Sequence, residues 1–116
     1  MKVYAYKSCD SCRKAVRWLK DKGIGFEEIP IRETPPTRTE LKTMLKAYGG
    51  DLRRLFNTAG GDYRSLGLKD RIATMTEDEA FSLLEGNGNL VKRPFAVGKG
   101  VALVGFRPDD WEKALA

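Results

Sequence analysis

Cys9 and Cys12 are the only thiols in the chain, and they stand three positions apart in the run YKSCDSCRKAVRWL at residues 6–19. A pair at this spacing can cycle between dithiol and disulfide, supply half of a metal site, or sit in a core as two small hydrophobes. A zinc site needs four ligands. The chain has no second cysteine pair and no histidine, so no metal is expected. The missing histidine also removes Cys-His and Ser-His catalysis and the usual near-neutral base. Activation of a thiol here has to come from a helix end or from arginine charge.

The local pattern offers both. Residues 2–6 (KVYAY) alternate and carry β-branched and aromatic side chains, which predicts a strand. Ala15, Val16, Trp18 and Leu19 give the three-and-four spacing of a helix over residues 10–22, with Gly23 just beyond its end. Cys9 then falls in the loop at the helix start and Cys12 one turn inside, on the same helix face and within disulfide reach. The unpaired N–H groups and positive dipole end at a helix start favour a thiolate. Such a position, or a C-x-x-C motif, brings a thiol pKa from about 8.5 down to roughly 3.5–7.5. The favoured reading is therefore a redox pair, with Cys9 as nucleophile and Cys12 as resolving thiol.

Other residues frame the pair. The hydroxyl of Ser8 or Ser11 has two uses, capping the helix or hydrogen-bonding a thiolate, and capping is favoured. Arg13 either holds charge near Cys9 or is solvated. Pro94 precedes a β run at the start of a hairpin, where a thioredoxin-like fold carries a cis proline next to the active cysteine; only an X-Pro bond makes cis cheap enough to keep, and an ordinary trans proline at a strand start is the alternative. Arg93 and, after the next β run, Arg107 are candidates for clamping an anion; surface solvation is the alternative for each.

The remaining elements follow from the punctuation. Residues 25–31 read as a second strand, so strand, helix and strand form a βαβ unit with parallel strands. Thr34-Pro35-Pro36-Thr37 breaks the chain, and Thr37 or Thr39 caps a helix to about residue 48 with Leu41, Met44 and Leu45 facing inward. Residues 51–56 and 63–68 suggest short helical pieces. Thr76 followed by Glu79 predicts a capping box, with Gly86 ending that helix. Residues 94–97 and 101–105, joined by Gly98-Lys99-Gly100, predict a hairpin, and Pro108 opens a final helix. The order β-α-β, helices, β-β-α is that of an α/β thioredoxin-like fold with an all-helical insertion. The expectation is one domain over residues 1–116, with its thioredoxin-like core at about 1–33 and 88–116 and the insertion at about 34–87.

Composition agrees with a globular protein. Of 116 residues, 41% are hydrophobic and 32% charged, and the net charge is +5. No apolar run is long enough for a signal peptide or a membrane span, so a cytoplasmic protein is expected, where close cysteine pairs are more often catalytic than structural. The basic residues are dispersed, with no cluster of the kind that grips a phosphate backbone. Direct DNA binding is therefore not expected, whereas attraction of a small anion fits the charge. A monomer is expected.

Four stretches, YKSCDSCRKA, ETPPTRTEL, LVKRPFAV and GFRPDDW, occur in this order across nearly the whole chain. Together they resemble the arsenate reductase (ArsC) family, which includes Spx/MgsR-type regulators and a group of small thiol proteins. The resemblance implies that Cys9 is the catalytic cysteine. It implies that two of the three oxyanion-binding arginines of the glutaredoxin-coupled arsenate reductases fall on Arg93 and Arg107. The third position falls on Asn57, an asparagine in place of the arginine. Those reductases lack a cysteine at the Cys12 position, whereas the C-x-x-C resembles Spx, in which the pair is a redox switch. Spx-like proteins bind the C-terminal domain of the RNA polymerase α-subunit in part through the arginine that falls on Arg93. The chain stops at Ala116, without the longer basic tail of the regulators. The resemblance thus implies a thiol oxidoreductase with no tightly bound cofactor, recharged by glutathione, glutaredoxin or thioredoxin. The alternative it leaves is a redox-sensing regulator with the RNA polymerase α-subunit as partner.

Overall fold

A computed structural model describes residues 1–115. Strand β1 (Lys2–Ala5) is followed by helix α1 (Asp10–Asp21) and strand β2 (Glu27–Pro30). Helix α2 (Arg38–Ala47) leads to a 3-10 turn at Leu52–Leu55, the short helices α3 (Gly61–Ser65) and α4 (Leu68–Arg71), and α5 (Glu77–Gly86). The chain closes with strands β3 (Phe95–Gly98) and β4 (Val101–Val104) and helix α6 (Pro108–Leu115). The four strands form one mixed sheet in the order β2-β1-β3-β4. β1 pairs parallel with β2 and antiparallel with β3, and β3 pairs antiparallel with β4. This is the α/β thioredoxin-like arrangement that the element order predicts.

The period-2 alternation of the strands divides the core into two layers. Val3 and Ala5 of β1, with Ala96 and Leu103, pack against Cys12, Ala15 and Leu19 of α1 and Trp111 of α6. Tyr4, Phe95, Val97 and Val104 point the other way, onto Leu41, Met44 and Leu45 of α2 and Ala80, Phe81 and Leu84 of α5. The central helices are thus the second face of the sheet, and both of its sides are covered.

Several local readings are sharpened. Thr37 caps α2, and Glu40 returns the bond to the Thr37 backbone in a complete capping box. Thr76 caps α5 by accepting from the Glu79 N–H, but the Glu79 carboxylate meets the Thr76 hydroxyl instead of its backbone. The expected helix at 51–56 is a single 3-10 turn, because its backbone leaves helical geometry to join another segment. The Lys92 N–H donates to the Leu55 carbonyl at 2.8 Å, the Asn57 N–H to the Leu90 carbonyl at 2.8 Å, and Phe56 bridges Val91. That stitch carries the turn alongside the residues leading into β3.

Candidate active site

Cys9 is the residue that begins α1. Its backbone is extended, and its Sγ accepts the Cys12 N–H at 3.3 Å. The expectation that Ser8 or Ser11 caps this helix is therefore corrected. Ser8 stands one residue too early and Ser11 lies within the first turn, so the side chain at the cap position is a sulfur. Cys9 is partly exposed, Cys12 is buried, and both are free thiols.

Cys12 sits behind Cys9 in the layer between sheet and helix. The Tyr6 N–H points at its Sγ at 3.5 Å. Burial pushes the Cys12 thiol up to about 12, and its hydrogen bond with Cys9 acts in the same direction. The Tyr6 N–H and the charge of Arg93 work against this rise, which places Arg93 within electrostatic reach of the pair. The Arg93–Pro94 peptide bond is cis, and Pro94 is buried at the start of β3.

Arg93 stacks its guanidinium 4.9 Å from the centre of the Tyr6 ring. Arg32 lies at the same distance from that ring and donates to the Tyr6 hydroxyl at 3.0 Å. Hydrogen bonds from Ser8 and Arg32 hold the Tyr6 phenol below its usual range. Ser8 thus belongs with Tyr6 at the end of β1. Arg13 is exposed and paired with Asp10 on the outer face of α1. It lines a cavity of about 450 Å³ together with Cys12 and Tyr6.

The cationic side of the site is a cleft of about 370 Å³. Ser11 brings the thiol motif to its wall, and Arg93 and Arg107 line it as the sequence suggests. The carbonyl of Arg107 accepts the first N–H groups of α6, at 3.0 Å from Asp110 and 3.1 Å from Trp111, so its backbone is fixed by that helix. Arg53, Arg54 and Lys92 line the same cleft, and sequence reasoning missed all three. Their only sequence signal is basic residues close to Asn57. Asn57 itself is not in the cleft wall. It is partly buried and its amide donates to the Asn89 carbonyl at 3.4 Å, while its neighbour Thr58 lines the cleft. Among the described residues, no group of histidine, cysteine or acidic side chains is arranged to hold a metal, and no helix is long and apolar enough to cross a membrane.

A thiol pair at the start of the first helix, with a cis proline and arginines across from it, defines a thioredoxin-like thiol domain. The ArsC family profile matches residues 4–114, and the chain belongs to the ArsC family. It is 43% identical over 113 residues to the Bacillus subtilis protein YusI, covering 97% of this chain and 96% of YusI. It is 34% identical over 107 residues to the regulatory protein MgsR of the same organism, covering 92% and 83%. Among solved structures, an ArsC family related protein from Bacteroides fragilis superposes with a TM-score of 0.90 at 40% identity, covering 97% and 95%. An arsenate reductase from Vibrio cholerae gives 0.82 at 27% identity, covering 99% and 98%.

Proposed function

We propose that this protein is a thiol-dependent reductase in which Cys9 attacks and Cys12 resolves. The observation that carries the reading is the asymmetry of the pair. One sulfur is accessible at the start of α1 and accepts the Cys12 backbone N–H, the other is buried, and Arg93 stands within electrostatic reach. With a mixed disulfide, the Cys9 thiolate bonds to one sulfur and expels the other as a thiolate. Cys12 then loses its proton and attacks the Cys9 sulfur, forming the Cys9–Cys12 disulfide and releasing the second thiolate. With an oxyanion, Cys9 displaces one oxygen as water, and attack by Cys12 leaves the electron pair on the central atom. Either way two electrons pass to the substrate. Glutathione, glutaredoxin or thioredoxin returns two electrons and restores the dithiol.

The high proton affinity of Cys12 suits this order. Two of its causes, the hydrogen bond and the charge of Cys9, disappear once the Cys9 sulfur is in an adduct. Arg93 then favours the Cys12 thiolate at the moment it is needed.

The test is an NADPH-coupled assay offering arsenate and glutathionylated substrates, with glutaredoxin and with thioredoxin. Turnover that needs Cys9, together with a mixed disulfide trapped at Cys9 in Cys12→Ser, is the expected result. No turnover with any combination would sink the enzyme reading. The second reading, a redox-sensing regulator, is favoured by the identity to MgsR. A pull-down with the C-terminal domain of the RNA polymerase α-subunit, retained in one redox state of the protein only, is its expected signature.

A further inference from the structure

Three of the four arginines that line the cleft, Arg53, Arg54 and Arg93, share an arrangement. Each is steadied by a tyrosine and none by a carboxylate. Arg53 donates to the Tyr63 hydroxyl at 3.3 Å, Arg54 lies 4.6 Å from the centre of the Tyr48 ring, and Arg93 lies 4.9 Å from that of Tyr6. The tyrosines are themselves anchored. Tyr63 is buried, Tyr48 accepts the Val104 N–H at 3.1 Å, and Tyr6 is bonded to Arg32. No acidic side chain lines the cleft, and none of its five cations has an ion pair among the described residues. Two arginines outside the cleft do have carboxylate partners: Arg13 is paired with Asp10, and Arg38 with Asp78 and Glu85. An aromatic brace fixes a guanidinium while leaving its charge and most of its donors unspent. Acidic partners would have neutralised it.

Position matters as well as charge. Arg93, whose carbonyl side forms the cis bond to Pro94, acts on the Cys12 thiol, and Arg107, just before α6, lines the cleft with it and with Ser11 of the thiol motif. Arg53 and Arg54 arrive on the 3-10 turn stitched to Leu90–Lys92, a separate wall of the cleft. A single tetrahedral oxyanion would occupy only a small part of about 370 Å³, and five cations exceed what it needs.

We propose that Arg53 and Arg54 form a second anion subsite, which holds a carboxylate of a small-thiol adduct bearing at least two separated carboxylates, while Arg93 and Arg107 hold the end nearer the thiols. The inference rests on the reductase reading for the thiol step, which remains the two-electron exchange described above. The anion subsite itself is a binding property and can be read without turnover.

The experiment uses the full chain and two readouts. S-methylglutathione, with two carboxylates and no reactive sulfur, is titrated calorimetrically into the reduced protein and into the Arg53→Gln/Arg54→Gln variant. A hydrogen bond to a charged group contributes about 1.5–3 kcal/mol, so affinity in the variant should fall about tenfold or more, with Arg53→Lys/Arg54→Lys in between. In parallel, single-turnover oxidation of the dithiol is followed with oxidised glutathione and with neutral hydroxyethyl disulfide. The ratio of the two rates should be well above one in the parent and should fall toward one in the Gln variant. Equal S-methylglutathione affinity in parent and variant, or an unchanged rate ratio, would overturn the subsite. If instead S-methylglutathione binds and responds to the variants but neither disulfide is reduced, the subsite stands and the reductase reading fails. Stronger binding of an acidic peptide than of S-methylglutathione would overturn the small-thiol assignment in favour of a protein partner. A circular dichroism melt of each variant confirms that it is folded.

Discussion

The two cysteines differ by environment and not by type. Cys9 sits at a helix start with partial exposure, while Cys12 is 2% exposed and its thiol is pushed up to about 12, chiefly by burial. Iodoacetamide at pH 7.5 should therefore label Cys9 and spare Cys12, as read by peptide mass mapping. Extensive labelling of Cys12 in the folded, reduced protein would contradict the burial argument. The same shift has a consequence for stability. A folded-state pKa raised above the unfolded value of about 8.5 means that the folded protein holds this proton more tightly. The contribution is fully present below about 8.5 and is lost as the pH climbs from there toward 12. Cys12→Ala removes this titration, so the stability difference between parent and variant should change between pH 8 and pH 11, in the direction of the parent losing more. Urea midpoints of the two reduced proteins across that range give the measurement. Parallel pH profiles would show that the Cys12 thiol titrates alike in both states.

At the scale of elements, the seam between the helical layer and the core runs through Gly88, in the 3-10 turn Gly88–Leu90 that follows α5. A Cβ there would stand 1.9 Å from the Ile31 carbonyl oxygen and 2.7 Å from its carbon, both backbone atoms. Neither can rotate away, so Gly88→Ala has to push apart the end of β2 and the approach to β3. A loss of about 3 kcal/mol or more is expected in the urea unfolding free energy. Gly61, at the start of α3, has open space around its Cβ position and an ordinary helical backbone. Gly61→Ala should leave stability equal or raise it by about 0.5 kcal/mol. A mild effect at Gly88 would mean that the close approach does not hold the two layers together. The elements themselves were legible in the sequence, because β alternation, helical spacing and caps are local patterns. The parallel β1–β2 pair and the β3–β4 hairpin followed from connection length. The cis bond at Pro94 was legible only as one of two readings, because an X-Pro bond at a strand start is more often trans. The route of residues 51–57 was not legible. It is set by backbone bonds to residues 90–92, more than 30 positions away, and no local period records a partner at that distance. Arg53 and Arg54 therefore carried no local signal that sets them apart, and Asn57 was assigned the anion role that its neighbours can fill. The capping sulfur was missed for the opposite reason: several polar side chains lie within one residue of the helix start, and only the backbone angles decide among them.

At the scale of the whole molecule, the net charge of +5 and the five cations of the cleft should act as one field on an approaching reagent. Ser11, two residues beyond Cys9, lines this cleft, so a cleft that guides anions to the thiols should show it in the rate at Cys9. Attraction between exposed charges is screened over about 10 Å at 0.1 M salt and about 3 Å at 1 M, whereas a neutral reagent gains nothing from the field and loses nothing to salt. The second-order rate of Cys9 with the dianionic disulfide 5,5′-dithiobis(2-nitrobenzoate) should therefore fall several-fold between 0.02 M and 0.5 M sodium chloride. The rate with neutral 2,2′-dithiodipyridine should stay nearly constant. Dispersed surface charge alone predicts a shallow slope that survives Arg93→Gln/Arg107→Gln; a focused cleft predicts that this variant flattens most of it. Stopped-flow measurements on the two proteins at five salt concentrations separate these outcomes. Equal slopes for the two reagents would mean that the cationic cleft does not guide anions to the thiols, and the choice of substrate would then have to come from contacts made after encounter.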